Sequence, residues 1–175
     1  MTLSSRLLLL LALGYLFVGI QGRMVIGYRT AAEEEAVQIN EKNTPFRDPA
    51  FHNLPGGSQI GNAIYLGSEP AGWRGSPTKK NWYCVFKADE ARFNAAAKVW
   101  IPQFYTIKSF WGSSKSKELW GYGEKLIAKY IANFGSNTLD IYAKCFATKS
   151  ELVAYESESV NFWDWTIKED PGNPG

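Results

Sequence analysis

Cys84 and Cys145 are the only cysteines in this chain, and the segments that carry them become neighbours in any fold that joins the two. Whether they join depends on the compartment, which the first 22 residues address. Arg6 gives a positive start, Leu7 to Ile20 form an apolar run of about 14 residues, and Gly19 and Gly22 offer the small residues of a cleavage point. That run is shorter than the roughly 20 residues a membrane-spanning helix needs. The pattern reads as an export leader, residues 1–22, with a secreted mature chain starting near Arg23 and no membrane association after cleavage. In an oxidising compartment two cysteines pair by default, and a catalytic thiol is the rival reading. A bond between them closes a loop of about 60 residues, which contributes roughly 4 kcal/mol on the chain-entropy account.

The remaining length suits one domain with one core, residues 23–168, followed by a flexible tail over 169–175. Losing Arg6 with the leader takes the formal net charge from +2 to about +1. That balance, without a clustered basic face, argues against a dedicated nucleic-acid binder. A monomer is expected. Seven Trp, nine Tyr and ten Phe are many for this size, so most belong in the core and some can line a concave site.

Periodicity predicts an α+β chain in which short strands outnumber helices. Met24 to Arg29 reads as a strand. Thr30 stands three residues before Glu33, a capping-box spacing, ahead of a helix over Ala31 to Asn40. A loop over 42–60 leads to a glycine-entered strand in Gly61 to Ser68. Trp82 to Lys87 is a buried strand that runs into a short helix capped by Asp89. Val99 to Ile101 is a further strand, and residues 106–118 read as an exposed loop. Leu119 to Phe134 carries apolar residues at helical spacing. Leu139 to Phe146 is a strand holding the second cysteine. Thr148 and Glu151 form a second capping box for a helix from Lys149 to about Glu156. Val160 to Ile167 alternates like a strand, with Trp163 and Trp165 on one face.

His52 is the only imidazole, so Ser-His-Asp or Cys-His machinery has no other base to use. Clustered His and Cys for zinc are lacking, as are a Walker loop and GxGxxG. What remains is an ordered set of three stretches: "VIGYRTAAEEEAVQI", "IGNAIYLGSEP" and "NWYCVFKADEARFNAA". In this order they resemble the NAD-binding core of the ADP-ribosyltransferase superfamily, and more loosely its heat-labile-enterotoxin-type members. They are also similar to small secreted fungal effector-like proteins that carry the same core. The resemblance spans roughly residues 24–100.

The resemblance implies a single α+β domain with a split antiparallel sheet and flanking helices, NAD as co-substrate, no metal, and a host protein as acceptor or target. Arg29 would bind the pyrophosphate, because a guanidinium can engage phosphate oxygens bidentately. Tyr65 and Ser68 would shape the nicotinamide site, with a single serine where the family carries Ser-Thr-Ser. A carboxylate would stabilise the oxocarbenium-like charge that develops at the ribose. Glu158, in the E-x-E of "YESES" with Glu156, is one candidate, and Glu118 is the other. Two functions stay open: an NAD-dependent mono-ADP-ribosyltransferase, or an inactive effector that uses the same fold to bind a host protein. A carbohydrate-binding module built on Trp163 and Trp165 ranks third.

Overall fold

The computed structural model describes residues 22–47, 63–101, 104–108, 112, 114–118 and 139–167. The expected leader, the loop containing His52, Gly61, the Leu119–Phe134 helix and the tail lie outside the described residues.

Strand β1 (Arg23–Ala32) pairs antiparallel with β2 (Asn81–Asp89), which pairs antiparallel with β5 (Tyr142–Phe146), giving the sheet order β1-β2-β5. The central position of β2 explains its composition. A strand covered on both faces can be apolar throughout, and Cys84, Val85, Phe86 and Ala88 are all buried. The described fold is mixed, with this small antiparallel sheet and a few short helices.

Side chains alternate across the sheet and seed two clusters. On one face Ile26, Phe86 and Ala143 meet Ala36 and Ile39 of helix α1 (Glu33–Lys42) and Phe93 of helix α2 (Glu90–Ala95). On the other face Tyr28 and Val85 meet Leu152 of helix α3 (Lys149–Tyr155). Full burial of side chains such as Ile39 and Leu152 contributes about 1.5–3 kcal/mol each. Cys84 and Cys145 stand directly opposite each other in the β2–β5 register and form a disulfide. The outer edge of β5 is closed at Cys145 by the Asn40 side chain. Its carboxamide donates to the Cys145 carbonyl (3.0 Å) and accepts from the Cys145 N–H (2.8 Å).

The caps divide. The Asp89 carboxylate accepts from the Arg92 N–H at 2.8 Å, and Thr148 with Glu151 forms the expected box. The box expected at Thr30 and Glu33 is absent. β1 runs on to Ala32, which occupies the N-cap without a side-chain bond. Pairing of Thr30 and Ala31 with Tyr83 and Trp82 takes precedence over a cap. The Thr30 hydroxyl instead donates to the Trp73 carbonyl (2.6 Å), and Glu33 pairs with Lys80 (2.5 Å). Three acidic residues, Glu33 to Glu35, supply the charge that the helix start favours.

Four further expectations are corrected. Residues 63–66 form no strand, and only Gly67 bridges β1, at Tyr28; Val99 is likewise a lone bridge residue. The stretch 106–118 is not a loop: β3 (Phe104–Lys108) and β4 (Ser114–Glu118) form an antiparallel hairpin. Its polar second strand exposes Ser114, Lys115 and Ser116, so no apolar period marks it. Val160–Ile167 is no strand either. An extended run from Glu156 reaches a 3-10 turn at Phe162–Asp164, where the Asn161 side chain accepts from the Trp163 N–H. The turn separates the two tryptophans: Trp163 is exposed, while Trp165 packs against Phe93. No helix among the described residues is long and apolar enough to cross a membrane.

Candidate functional site

Tyr28 joins the segments that carry the expected site residues. Its backbone exchanges two hydrogen bonds with Gly67 (2.9 and 2.8 Å), which places Ser68 beside the outer edge of β1. Its phenol donates to the Glu158 carbonyl at 2.5 Å. The Val160 N–H then reaches the Ser68 carbonyl (2.9 Å), and the Ser159 hydroxyl donates to the Glu69 carboxylate (2.6 Å). Arg29, Ser68 and Glu158 therefore lie on three laterally adjacent segments. Gly27 permits this approach. It sits at a bulge with φ +151°, and a Cβ there would come within 2.7 Å of the Leu66 side chain. Burial pushes the Tyr28 phenol up to about 12, with the charges of Glu156, Glu158 and Glu69 adding to it.

The side chains do not converge as the segments do. Tyr28 and Arg29 are successive strand residues and point to opposite faces. Tyr28 joins the Leu152 cluster and reaches Glu158. Arg29 turns toward α1, where its Nη2 donates to both oxygens of Glu35 (3.1 and 3.0 Å). The two side chains are only 16% and 5% exposed. Burial lowers the pKa of Arg29 and Glu35 opposes that shift, while the nearby charge of Arg47 adds to the lowering. The Arg29 Nη1 is buried and has no hydrogen-bond partner among the described residues. Tyr65 lies under the Arg47 guanidinium, 5.2 Å from ring centre to cation.

Two hollows flank this arrangement. Arg29 and Ser68 border a small one of about 230 Å³, together with Thr30, Glu69, Ala71 and Trp73. Glu156 and Glu158 border a separate open groove of about 530 Å³, which also takes in Asn94, Lys98, Asp164 and Trp165. Glu156 has left α3, as C-cap with extended backbone, and pairs with Lys87 at 2.8 Å. Burial works to raise its pKa, but the Lys87 hydrogen bond and charge prevail and hold it below the usual carboxylate value. Glu118 ends β4, opposite Phe104. No cluster of three or more His, Cys, Asp or Glu suited to a metal occurs among the described residues.

Sequence reasoning missed Glu35, the buried partner of Arg29, although the run Glu33–Glu35 after a strand was a visible signal. It also missed the groove, whose wall combines α2 with the irregular run after α3; neither has a periodicity that links it to the other.

One family model matches the chain, a family of unknown function (DUF5910), over residues 58–138. The match takes in Tyr65, Ser68, Cys84 and Glu118 and leaves out Arg29, Cys145 and Glu158. No curated protein and no solved structure matches the chain.

Proposed function

We propose that this is an exported effector that acts by binding a host protein, on a scaffold resembling the ADP-ribosyltransferase core, rather than by cleaving NAD. One observation carries the choice: Arg29 is engaged by Glu35 on the face of β1 opposite to the one that Tyr28 uses to reach Glu158. Transfer from NAD needs the pyrophosphate-binding arginine and the cation-stabilising carboxylate to converge on one dinucleotide. The hollow bordered by Arg29 and Ser68, about 230 Å³, also falls below the roughly 300–1,000 Å³ typical of small-molecule pockets. Trp73 and Trp163, 71% and 60% exposed, are the type of aromatic anchor that dominates protein interfaces.

A specific observation favours the transferase as second reading. Arg29, Ser68 and Glu158 lie on adjacent segments, and the buried Arg29 Nη1 has no partner among the described residues, a role that a phosphate oxygen could fill. Nicotinamide release from NAD by the purified mature protein separates the two. The partner reading expects no release and no calorimetric binding of NAD. Release that disappears in Glu158→Gln would replace it with the transferase. Crosslinking to a host protein that Trp73→Ser and Trp163→Ser abolish, with unchanged thermal stability, is the positive result expected.

A further inference from the structure

The groove behind Glu158 has a chemistry of its own, independent of the partner reading. We infer that it is a binding site for a neutral carbohydrate of two or three sugar units. Its volume of about 530 Å³ lies inside the range for small-molecule sites, unlike the hollow beside Ser68. Its aromatic surface is held in place. The Trp165 ring packs edge-on to Phe93, with centroids 4.6 Å apart and planes at 70°, and against Phe162 at 4.9 Å. The part of this fixed indole that lines the groove is an apolar surface, which suits the C–H face of a pyranose.

The polar lining suits hydroxyl groups, each of which donates and accepts. Of the charged groups that line the groove, two are already neutralised. Arg23 pairs with Asp140 at 2.9 Å, and Glu156 with Lys87 at 2.8 Å. The carboxylates of Glu158 and Asp164 make no ion pair among the described residues and are free to accept. Lys98 and the carboxamides of Asn94 and Asn161 line the same groove and add donors. The Lys98 ammonium bonds the Ala96 carbonyl (3.2 Å) and lies 4.6 Å from the Phe93 ring centre, which fixes its position. Burial lowers its pKa.

Charge narrows the ligand class. Two free carboxylates against one ammonium leave the groove with an excess of negative charge, which repels phosphate and sulfate esters, the NAD pyrophosphate included. The same excess admits a cation, so charge excludes anions only; the apolar indole and the mixed donors and acceptors of the lining favour a neutral, polyhydroxylated molecule with one apolar face.

The test uses the mature protein with chitotriose, cellotriose, xylotriose, mannotriose and maltotriose as probes. Titration calorimetry and tryptophan emission are read together, with trilysine and NAD as the charged comparisons. At least one trisaccharide is expected to bind at micromolar to millimolar concentration and to shift the emission. Asn94→Ala, which removes one hydrogen bond, and Glu158→Gln, which removes the charge from one, are each expected to weaken that binding about tenfold. Both positions are exposed, so their variants keep the fold where Trp165→Ala could lose it. Three results would overturn the assignment: no trisaccharide bound at millimolar concentration, binding unchanged in both variants, or binding of trilysine or NAD alone.

Discussion

Glu35→Gln is the substitution that most directly tests how Arg29 is held. At the observed 3.0 Å, Coulomb's law with an effective dielectric of about 20 gives an attraction of roughly 5–6 kcal/mol. Dehydrating two groups this deeply buried costs several kcal/mol per ion, so the intact pair is close to neutral for stability. Removing the carboxylate charge keeps the dehydration cost of the guanidinium and loses its compensation. We therefore expect Glu35→Gln to destabilise the fold by about 3–5 kcal/mol, a large share of the roughly 5–15 kcal/mol typical of a whole domain. The double variant Arg29→Met/Glu35→Leu should recover most of that loss. Urea unfolding followed by tryptophan fluorescence of the wild type, Arg29→Met, Glu35→Leu and the double variant gives all corners of the cycle, with a coupling energy above about 2 kcal/mol expected between neighbours of this type. A loss below about 1 kcal/mol in Glu35→Gln, with weak coupling, would refute the reasoning. Arg29 would then be able to leave Glu35 for a ligand, and the transferase reading would gain what it now lacks.

Other perturbations test the frame around the site. Replacing both cysteines by serine should lower stability by about 4 kcal/mol, given the 61-residue separation that the bond closes, and is read from the shift in urea midpoint. Tyr28 predicts an alkaline limit. Its pKa rises from 10.0 to about 12 on folding, so the native state keeps a proton that the unfolded chain releases. That contribution, about 2–3 kcal/mol, is intact below pH 10 and lost as pH rises toward 12. Tyr28→Phe should flatten the fall while costing about 1 kcal/mol at neutral pH, and equally steep curves for both proteins would count against it. Gly27→Ala should detach the Leu66–Gly67 segment, because its Cβ would lie 2.7 Å from Leu66 and its φ is +151°. Faster proteolysis between β1 and β2 is the expected readout.

What could be read in the sequence follows from which forces are local. The buried run of β2, the Asp89 cap and the Thr148–Glu151 box each depend on a few consecutive residues, and each is present. The disulfide, expected from a count of two cysteines and an oxidising compartment, is present. Thr30 shows the limit. Its spacing to Glu33 suits a cap, but the β1–β2 ladder extends past it, and a ladder forms with residues fifty positions away that no local pattern encodes. The β3–β4 hairpin was hidden for a different reason. A ribbon whose second strand is Ser-Lys-Ser-Lys-Glu carries no apolar alternation, so polarity suggested a loop. At the site, the segments of Arg29, Ser68 and Glu158 lie side by side, but strand alternation sends Arg29 and Tyr28 to different faces. The pairing of Arg29 with Glu35 required knowing where α1 begins, which the mistaken cap obscured.

The two hollows share a wall, and that wall has no regular structure. Gly67 bridges the outer edge of β1 at Tyr28, and the chain beyond Glu156 is tied on by the Tyr28 phenol, the Val160–Ser68 bond and the Ser159–Glu69 bond. Ser159 and Val160 face the larger groove, while Ser68 and Glu69 face the smaller hollow beneath Trp73. The hydrogen bonds between these pairs are thus the partition itself. A shift of the 158–160 segment cannot leave the 67–69 segment unmoved unless those bonds break, and the Tyr28 side chain, buried in the core, fixes the end of both. A rigid sheet residue that positions two irregular segments is a common way to build a binding surface, since loops supply varied chemistry and the sheet supplies their register. Here it places the groove assigned to a saccharide and the tryptophan assigned to a partner on the two sides of one thin partition.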